Sequence, residues 1–203
     1  PSLVGSEMCI RDRDIYILAV VGVIISVLIE ALVIAFLFID KQRQYFRQRA
    51  ITDELTGLLN RSGFNDELDR YAREIGSKPC VGIMLDVDDF KSINDIYGHA
   101  VGDEALKNLA RSMVNEFPDN SIIGRNGGDE FCIVLKETDA ETAGDQIERF
   151  CHQQRMFRFH GREYNYRISL GYAEYPKHAG KRSELLRCAD VALYEVKLKG
   201  KNG

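Results

Sequence analysis

Tryptophan is absent from the 203-residue chain, and proline (four), histidine (four) and cysteine (five) are scarce. So few prolines exclude a polyproline or collagen-like chain. Cys9, Cys80, Cys132, Cys151 and Cys188 form no CxxC pair, and His99, His152, His160 and His178 stand at no zinc-site spacing from them or from one another. Neither a disulfide-stapled secreted scaffold nor a structural zinc site is expected. The four thiols beyond Cys9 fall in strand and helix patterns, where cysteine serves as a small buried hydrophobe. No internal repeat or low-complexity segment is present, and a composition 45% hydrophobic and 29% charged excludes a disordered chain.

The hydrophobic average conceals one long run. Between positions 15 and 39, 22 of 25 residues are hydrophobic, the exceptions being Gly22, Ser26 and Glu30. A helix of that length reaches roughly 37 Å, against a hydrocarbon core of about 30 Å. One transmembrane helix over 15–39 is expected, then one soluble domain. Lys41, Arg43, Arg47 and Arg49 make 40–52 a basic connector, whereas Arg11 and Arg13 alternate with Asp12 and Asp14 ahead of the run. That bias puts the C-terminal side in the cytoplasm, with the chain in the inner membrane. Glu30, near mid-span, would cost on the order of 2.5–3.5 kcal/mol as a charge. It is either a sensing group facing other helices or a protonated carboxyl bonded across a dimer. The opening run PSLVGSEMCIRDR resembles a translated sequencing adapter. Residues 1–14 are therefore set aside as non-native, and sensory segments are expected ahead of the span.

Past Asp53, helical and strand patterns alternate. A helix is expected over 62–75 and a buried strand over 81–87. The apolar stripe of Ala105, Leu106, Leu109, Ala110, Met113, Val114 and Phe117 marks a second helix. Positions 122–135 read as two strands joined through Gly127 and Gly128, a hairpin signal. A helix over 141–154 and strands turning at Gly161 within 157–175 follow. Leu185, Ala189, Ala192, Leu193 and Val196 line a last helix. The expectation is an α/β sandwich, helices covering a sheet.

Over 53–203, 21 Lys and Arg oppose 26 Asp and Glu, a net charge of −5. So acidic a domain is a poor nucleic-acid binder, and none is expected as partner. A polyphosphate ligand would need divalent metal and a few placed lysines. The 81–87 strand delivers Asp86, Val87, Asp88 and Asp89 at its carboxyl end, where carboxylates suit magnesium. Taken alone, such a cluster is more often a solvated turn or a helix N-cap. A second acidic site, Asp129 and Glu130, follows the paired glycines, where a ligand can approach the backbone closely. If the hairpin lies beside the Asp86 strand, Asp86 and Asp129 can share metal ions, a standard arrangement for phosphoryl or nucleotidyl transfer.

Four motifs stand in order along this region: DELTGLLNR at 53–61, DVDDFKSINDIYGHAVGD at 86–103, GGDEF at 127–131 and DVALYEVKLKGKN at 190–202. Together they resemble the GGDEF family, the diguanylate cyclases. The resemblance implies a palm-like fold, a central, mostly antiparallel sheet flanked by helices. It implies that Asp86, the Val87 carbonyl and Asp129 bind Mg2+ or Mn2+, with Asp129 the proton acceptor and Glu130 beside it. Asn94 and Asp103 match guanine-reading positions, and an ionised aspartate does accept from the N–H donors of guanine. His99 matches a substrate-contacting position; a buried histidine ordering the turn is the equal alternative. Lys91, Lys197 and Lys201 match phosphate-binding positions, and Gly127 and Gly128 the substrate-facing turn, although an isolated lysine is more often merely solvated. Asp53, Asn60 and Arg61 are expected to order the turn before the first helix, and Phe90 and Phe131 to pack beneath the site.

Two departures qualify the resemblance. Lys201 stands where the family has arginine, keeping the charge but losing the two-pronged fork, so weaker phosphate binding is expected. The family's product-inhibition RxxD would fall on Pro118 and Ser121, so no feedback inhibition through that site is expected. One further strand is expected beyond Gly203. The implied activity is condensation of two GTP into cyclic di-GMP by a homodimer of facing domains. A catalytically silent GTP-binding module and a cyclase of different base preference are the alternatives.

Overall fold

A computed structural model describes residues 3–74 and 78–200, the side chains of 3–16, 19, 43–50, 74 and 182–183 excepted. Pro1, Ser2, Ile75, Lys201 and Asn202 therefore fall outside the described residues, as do the side chains of 3–14 and of most of the connector. The chain divides into two compact units, Pro1–Gln48 and Arg49–Gly203. In the first, α1 (Leu3–Ile51) carries the stretch Val20–Gln42, which by length and composition is apolar enough to cross a membrane. It overlaps the hydrophobic run at 15–39.

The second unit contains β1 (Leu59–Asn60), α2 (Arg61–Glu74), β2 (Cys80–Val87), α3 (Phe90–Tyr97), α4 (His99–Glu116), β3 (Ile122–Gly127), β4 (Glu130–Lys136), α5 (Ala140–His152), β5 (Arg155–Phe159), β6 (Arg162–Tyr166), β7 (Ile168–Tyr175) and α6 (Arg182–Leu198). Five strands form one sheet in the order β1-β3-β4-β2-β7. Its pairs are antiparallel except β1 with β3, as expected for a palm-like sheet. β5 and β6 form a separate two-stranded ribbon, which the strand pattern of 157–175 does not distinguish from the main sheet.

Side-chain alternation divides the core between the two faces of the sheet. Val81, Ile83, Leu85 and Val87 of β2 join Phe131, Ile133 and Leu135 of β4 in packing against α4 and α5. Cys80, Met84, Cys132 and Val134 face the other way, onto Phe64, Leu68 and Tyr71 of α2 and Leu185, Ala189 and Leu193 of α6. β2 is buried along nearly its whole length because both of its faces are covered. Cys80, Cys132 and Cys151 are buried as expected, whereas Cys188 is half-buried.

α6 lies close against β7 at Gly171, where a β-carbon would stand 2.5 Å from the Ala189 carbonyl oxygen. Backbone cannot yield there as a flexible side chain would. Arg155 fixes the ribbon to the end of α5: its guanidinium donates to the carbonyls of Phe150, Cys151 and Gln153.

Gly171→Ala should lower the melting temperature of the chain in detergent micelles, the overpacking costing about 1–3 kcal/mol. Gly144→Ala, on a helical position of α5 with open space around it, should hold or raise it.

Candidate functional site

The register of two strands assembles the acidic centre. β2 runs antiparallel to β4 with Asp86 opposite Glu130, and the Val87 N–H donates to the Asp129 carbonyl oxygen at 3.3 Å. Asp86, Val87, Asp129 and Glu130 thus meet at one end of the sheet. On the other side of β2, the turn after Val87 is pinned to β7. The Asp88 N–H donates to the Arg167 carbonyl at 2.9 Å, and the buried Ser169 hydroxyl donates to Asp88 Oδ1 at 2.7 Å. Asp89 takes a left-handed conformation and begins α3.

Gly127 and Gly128 both have positive φ, 139° and 55°, which a side chain would disfavour. Arg125 holds this turn from within the hairpin. Its Nε and Nη2 donate to the Gly128 carbonyl at 3.0 and 2.6 Å, and its Nη1 reaches both Asp53 oxygens at 3.0 and 3.1 Å. One guanidinium therefore ties the glycine turn to the 53–56 turn. Burial by itself would raise the Asp53 carboxyl, but hydrogen bonds from the Thr56 hydroxyl and N–H and from Arg125 outweigh it and hold the pKa below the ordinary value. Asn60 orders the same turn as expected, accepting from the Gly63 N–H at 3.0 Å and donating to the Thr52 carbonyl at 3.3 Å. Arg61, by contrast, is exposed at the start of α2.

Asp129 shows the electrostatic stress of this packing. Burial, then repulsion from Asp86 with a smaller part from Glu130, push its carboxyl above the ordinary range, against the pull of Lys197. Lys197 Nζ lies 2.8 Å from Asp86 Oδ2. Asn126 Nδ2 donates to Glu130 Oε2 at 3.1 Å.

Asn94 on α3 and Asp103 on α4 lie on adjoining helices. Gly102 leaves the space that the Asn94 amide fills, since a β-carbon there would collide with Asn94 Oδ1. The Gly98 N–H caps α3 by donating to the Asn94 carbonyl at 2.8 Å. Asp103 and Lys91 are exposed. His99 is also exposed, at the first residue of α4, so it is not the buried turn-ordering histidine. Phe131 is fully buried and Phe90 partly buried against the core, as expected.

Sequence reasoning missed Arg125, Ser169 and the pairing of Lys197 with Asp86. The sequence holds one signal for Arg125, an arginine two positions before a double-glycine hairpin. The Ser169–Asp88 and Lys197–Asp86 contacts span 81 and 111 positions and had no local signature.

The oxygen donors fit magnesium or manganese. Two hard carboxylates converge, one of them with raised proton affinity, and Mg2+ is commonly bound by one or two carboxylates plus phosphate oxygens. Among the described residues no group of three His, Cys, Asp or Glu is gathered to hold a metal, so the protein donors by themselves leave much of a coordination shell to other ligands.

A palm-like α/β domain with an acidic centre at a glycine hairpin defines a class, and the comparisons give its family. The profile described as "Diguanylate cyclase, GGDEF domain" matches residues 50–203, and the chain belongs to the GGDEF family. It is 33% identical over 159 residues to the response regulator PleD of Caulobacter vibrioides, covering 75% of this chain and 35% of that protein. It is 30% identical over 162 residues to the cyclic di-GMP phosphodiesterase PdeR of Escherichia coli, covering 79% of this chain and 24% of that protein. The chain thus spans about a third or less of the length of these curated relatives. Among solved structures, it resembles the coiled coil and GGDEF domain of DgcB from Caulobacter crescentus in complex with c-di-GMP. That match has a TM-score of 0.74 at 28% identity, covering 86% of this chain and 96% of that one.

Asp129→Asn should raise the melting temperature at neutral pH, because it removes a carboxylate that the fold disfavours. The folded pKa of Asp129 lies above the unfolded one, so the penalty is fully present above the raised value. The gain should therefore shrink as pH falls through that value and vanish below the ordinary aspartate pKa. Melting curves of both proteins across that window check it.

Proposed function

We propose that the chain is a membrane-anchored diguanylate cyclase, condensing two GTP into cyclic di-GMP and two pyrophosphates. The observation that carries this is the β2–β4 register, which sets Asp86 opposite Glu130 and Val87 against the Asp129 carbonyl at a glycine turn. The family description and the guanine-compatible pair Asn94 and Asp103 support it. A metal ion held by Asp86, the Val87 carbonyl and Asp129 would polarise the α-phosphate and offset the charge that develops on it.

The chain's own groups supply the rest. Asn94 and Asp103 accept from and orient the guanine edge, with His99 beside them. Lys91, Lys197 and Lys201 bear on the phosphates. Gly127 and Gly128 leave the backbone open to the triphosphate. Asp129, whose raised proton affinity suits a base, accepts the proton of the attacking 3′-hydroxyl, with Glu130 adjacent. The new O3′–P bond forms as pyrophosphate departs. Each domain presents one GTP, so a homodimer of facing domains is required. The hydrophobic segment at 15–39 would hold the chain in the inner membrane with the domain in the cytoplasm, and 40–52 would link the two. Confinement to the membrane raises the effective concentration of the facing domains.

The similarity to PdeR, named a phosphodiesterase, favours a second reading, a silent GTP-binding module serving another activity. Incubating the purified chain with GTP, ATP and Mg2+ and identifying products by mass separates them. Cyclic di-GMP is expected, with Asp129→Ala reducing its rate by about 10²–10⁴-fold. GTP binding without product would favour the silent module, and a cyclic product from ATP a different base preference.

A further inference from the structure

Lys197 is expected at a phosphate, yet it lies in a direct ion pair with Asp86, one of the two carboxylates assigned to the metal. The pair is 2.8 Å long, and the Asp86 side chain is 13% exposed against 33% for that of Lys197. A carboxylate so covered, next in its strand to Val87, whose N–H bonds the Asp129 carbonyl, needs a cation at hand. Lys197 supplies it.

α6 determines where that cation can reach. The approach of Ala189 and Leu193 to Gly171 fixes the helix on β7. At the end of α6, the Lys199 N–H donates to the Glu195 and Val196 carbonyls, both at 3.1 Å. The backbone of Lys197 is thereby set within one lysine's length of Asp86. Its ammonium remains a compact charge on a flexible four-carbon stem, able to change partners where a planar guanidinium would be more constrained.

A divalent ion and an ammonium cannot both sit against one carboxylate without strong repulsion. The protein donors also leave much of a metal's shell unfilled, and triphosphate oxygens are the natural complement.

We propose that Lys197 is the resident counter-cation of the metal site, holding Asp86 until metal and triphosphate arrive together and then transferring its charge to the phosphates. It presupposes that Asp86 and Asp129 hold the metal, and adds that Lys197 makes metal binding depend on nucleotide. The displaced ammonium and the incoming phosphates are opposite in charge, so the exchange is favourable only when both ligands are present. Metal by itself must displace Lys197 into solvent. By linkage, nucleotide tightens metal binding by the same factor that metal tightens nucleotide binding.

The test is Mn2+ binding to the full chain in detergent micelles, read by electron paramagnetic resonance of free Mn2+. It is run without nucleotide and with the non-reactive α,β-methylene analogue of GTP. Wild type should bind Mn2+ weakly alone and much more tightly with the analogue. Lys197→Met should tighten nucleotide-free Mn2+ binding by about tenfold, the scale of a neighbouring charge on a carboxylate, and should shrink the effect of the analogue. Lys197→Gln should match it, and Lys197→Arg, which keeps the charge, should hold nucleotide-free Mn2+ affinity near wild type. Nucleotide-free affinity unchanged or weakened in both neutral variants, while Asp86→Asn still abolishes binding, overturns the role of Lys197 and leaves the metal assignment standing. Mn2+ binding that survives Asp86→Asn overturns the metal assignment itself.

Discussion

The register between β2 and β4 is the constraint on which the rest of the site depends. In an antiparallel pair a slip of one residue sends every side chain to the opposite face. Here such a slip of β2 would turn Asp86 into the apolar layer beneath α4 and α5 and send Val81, Ile83 and Leu85 toward α2 and α6. The two-sided core forbids it, because alternate residues of both strands are claimed by different helices. The hydrophobic pattern that makes the sheet therefore also fixes Asp86 opposite Glu130 and Val87 against the Asp129 carbonyl. Stability and site geometry come from one set of contacts.

Around that register, long-range polar contacts bring in the remaining parts. Arg125 makes one connection between the glycine turn and Asp53, spending its whole fork on carbonyl and carboxylate oxygens. Ser169 and Asp88 make a second, from β7 to the turn after β2. Lys197 makes a third, from α6 to Asp86. These join elements far apart in sequence, and each converges on the residues that would meet a triphosphate. The acidic centre is thus held by surrounding cations and donors, and Asp129 carries the residual repulsion.

Much of this was legible in the sequence. The strand at 81–87 and the hairpin at Gly127–Gly128 are short-range patterns, and they appear as β2, β3 and β4 with small differences at their ends. The juxtaposition of Asp86 with Asp129 follows if the hairpin lies beside that strand. Other features were not legible. β1 is only two residues long and exists through its pairing with β3. The ribbon of β5 and β6 has the same alternation as a main-sheet strand, so only its tertiary partners distinguish it. Lys197 illustrates the limit most clearly. Its charge and its place in a motif suggested phosphate, whereas its actual partner depends on the height at which α6 crosses β7, which Gly171 decides.

The central claim is that the strand register makes Asp86 and Asp129 one functional unit. A double-mutant cycle on the rate of cyclic di-GMP formation tests it most directly, using Asp86→Asn, Asp129→Asn and the pair. If the two carboxylates act together, either substitution removes most of the rate and the double variant is little worse than the more damaging single one. Losses that multiply across the cycle would contradict it, because they would mean that the two aspartates act independently despite lying side by side.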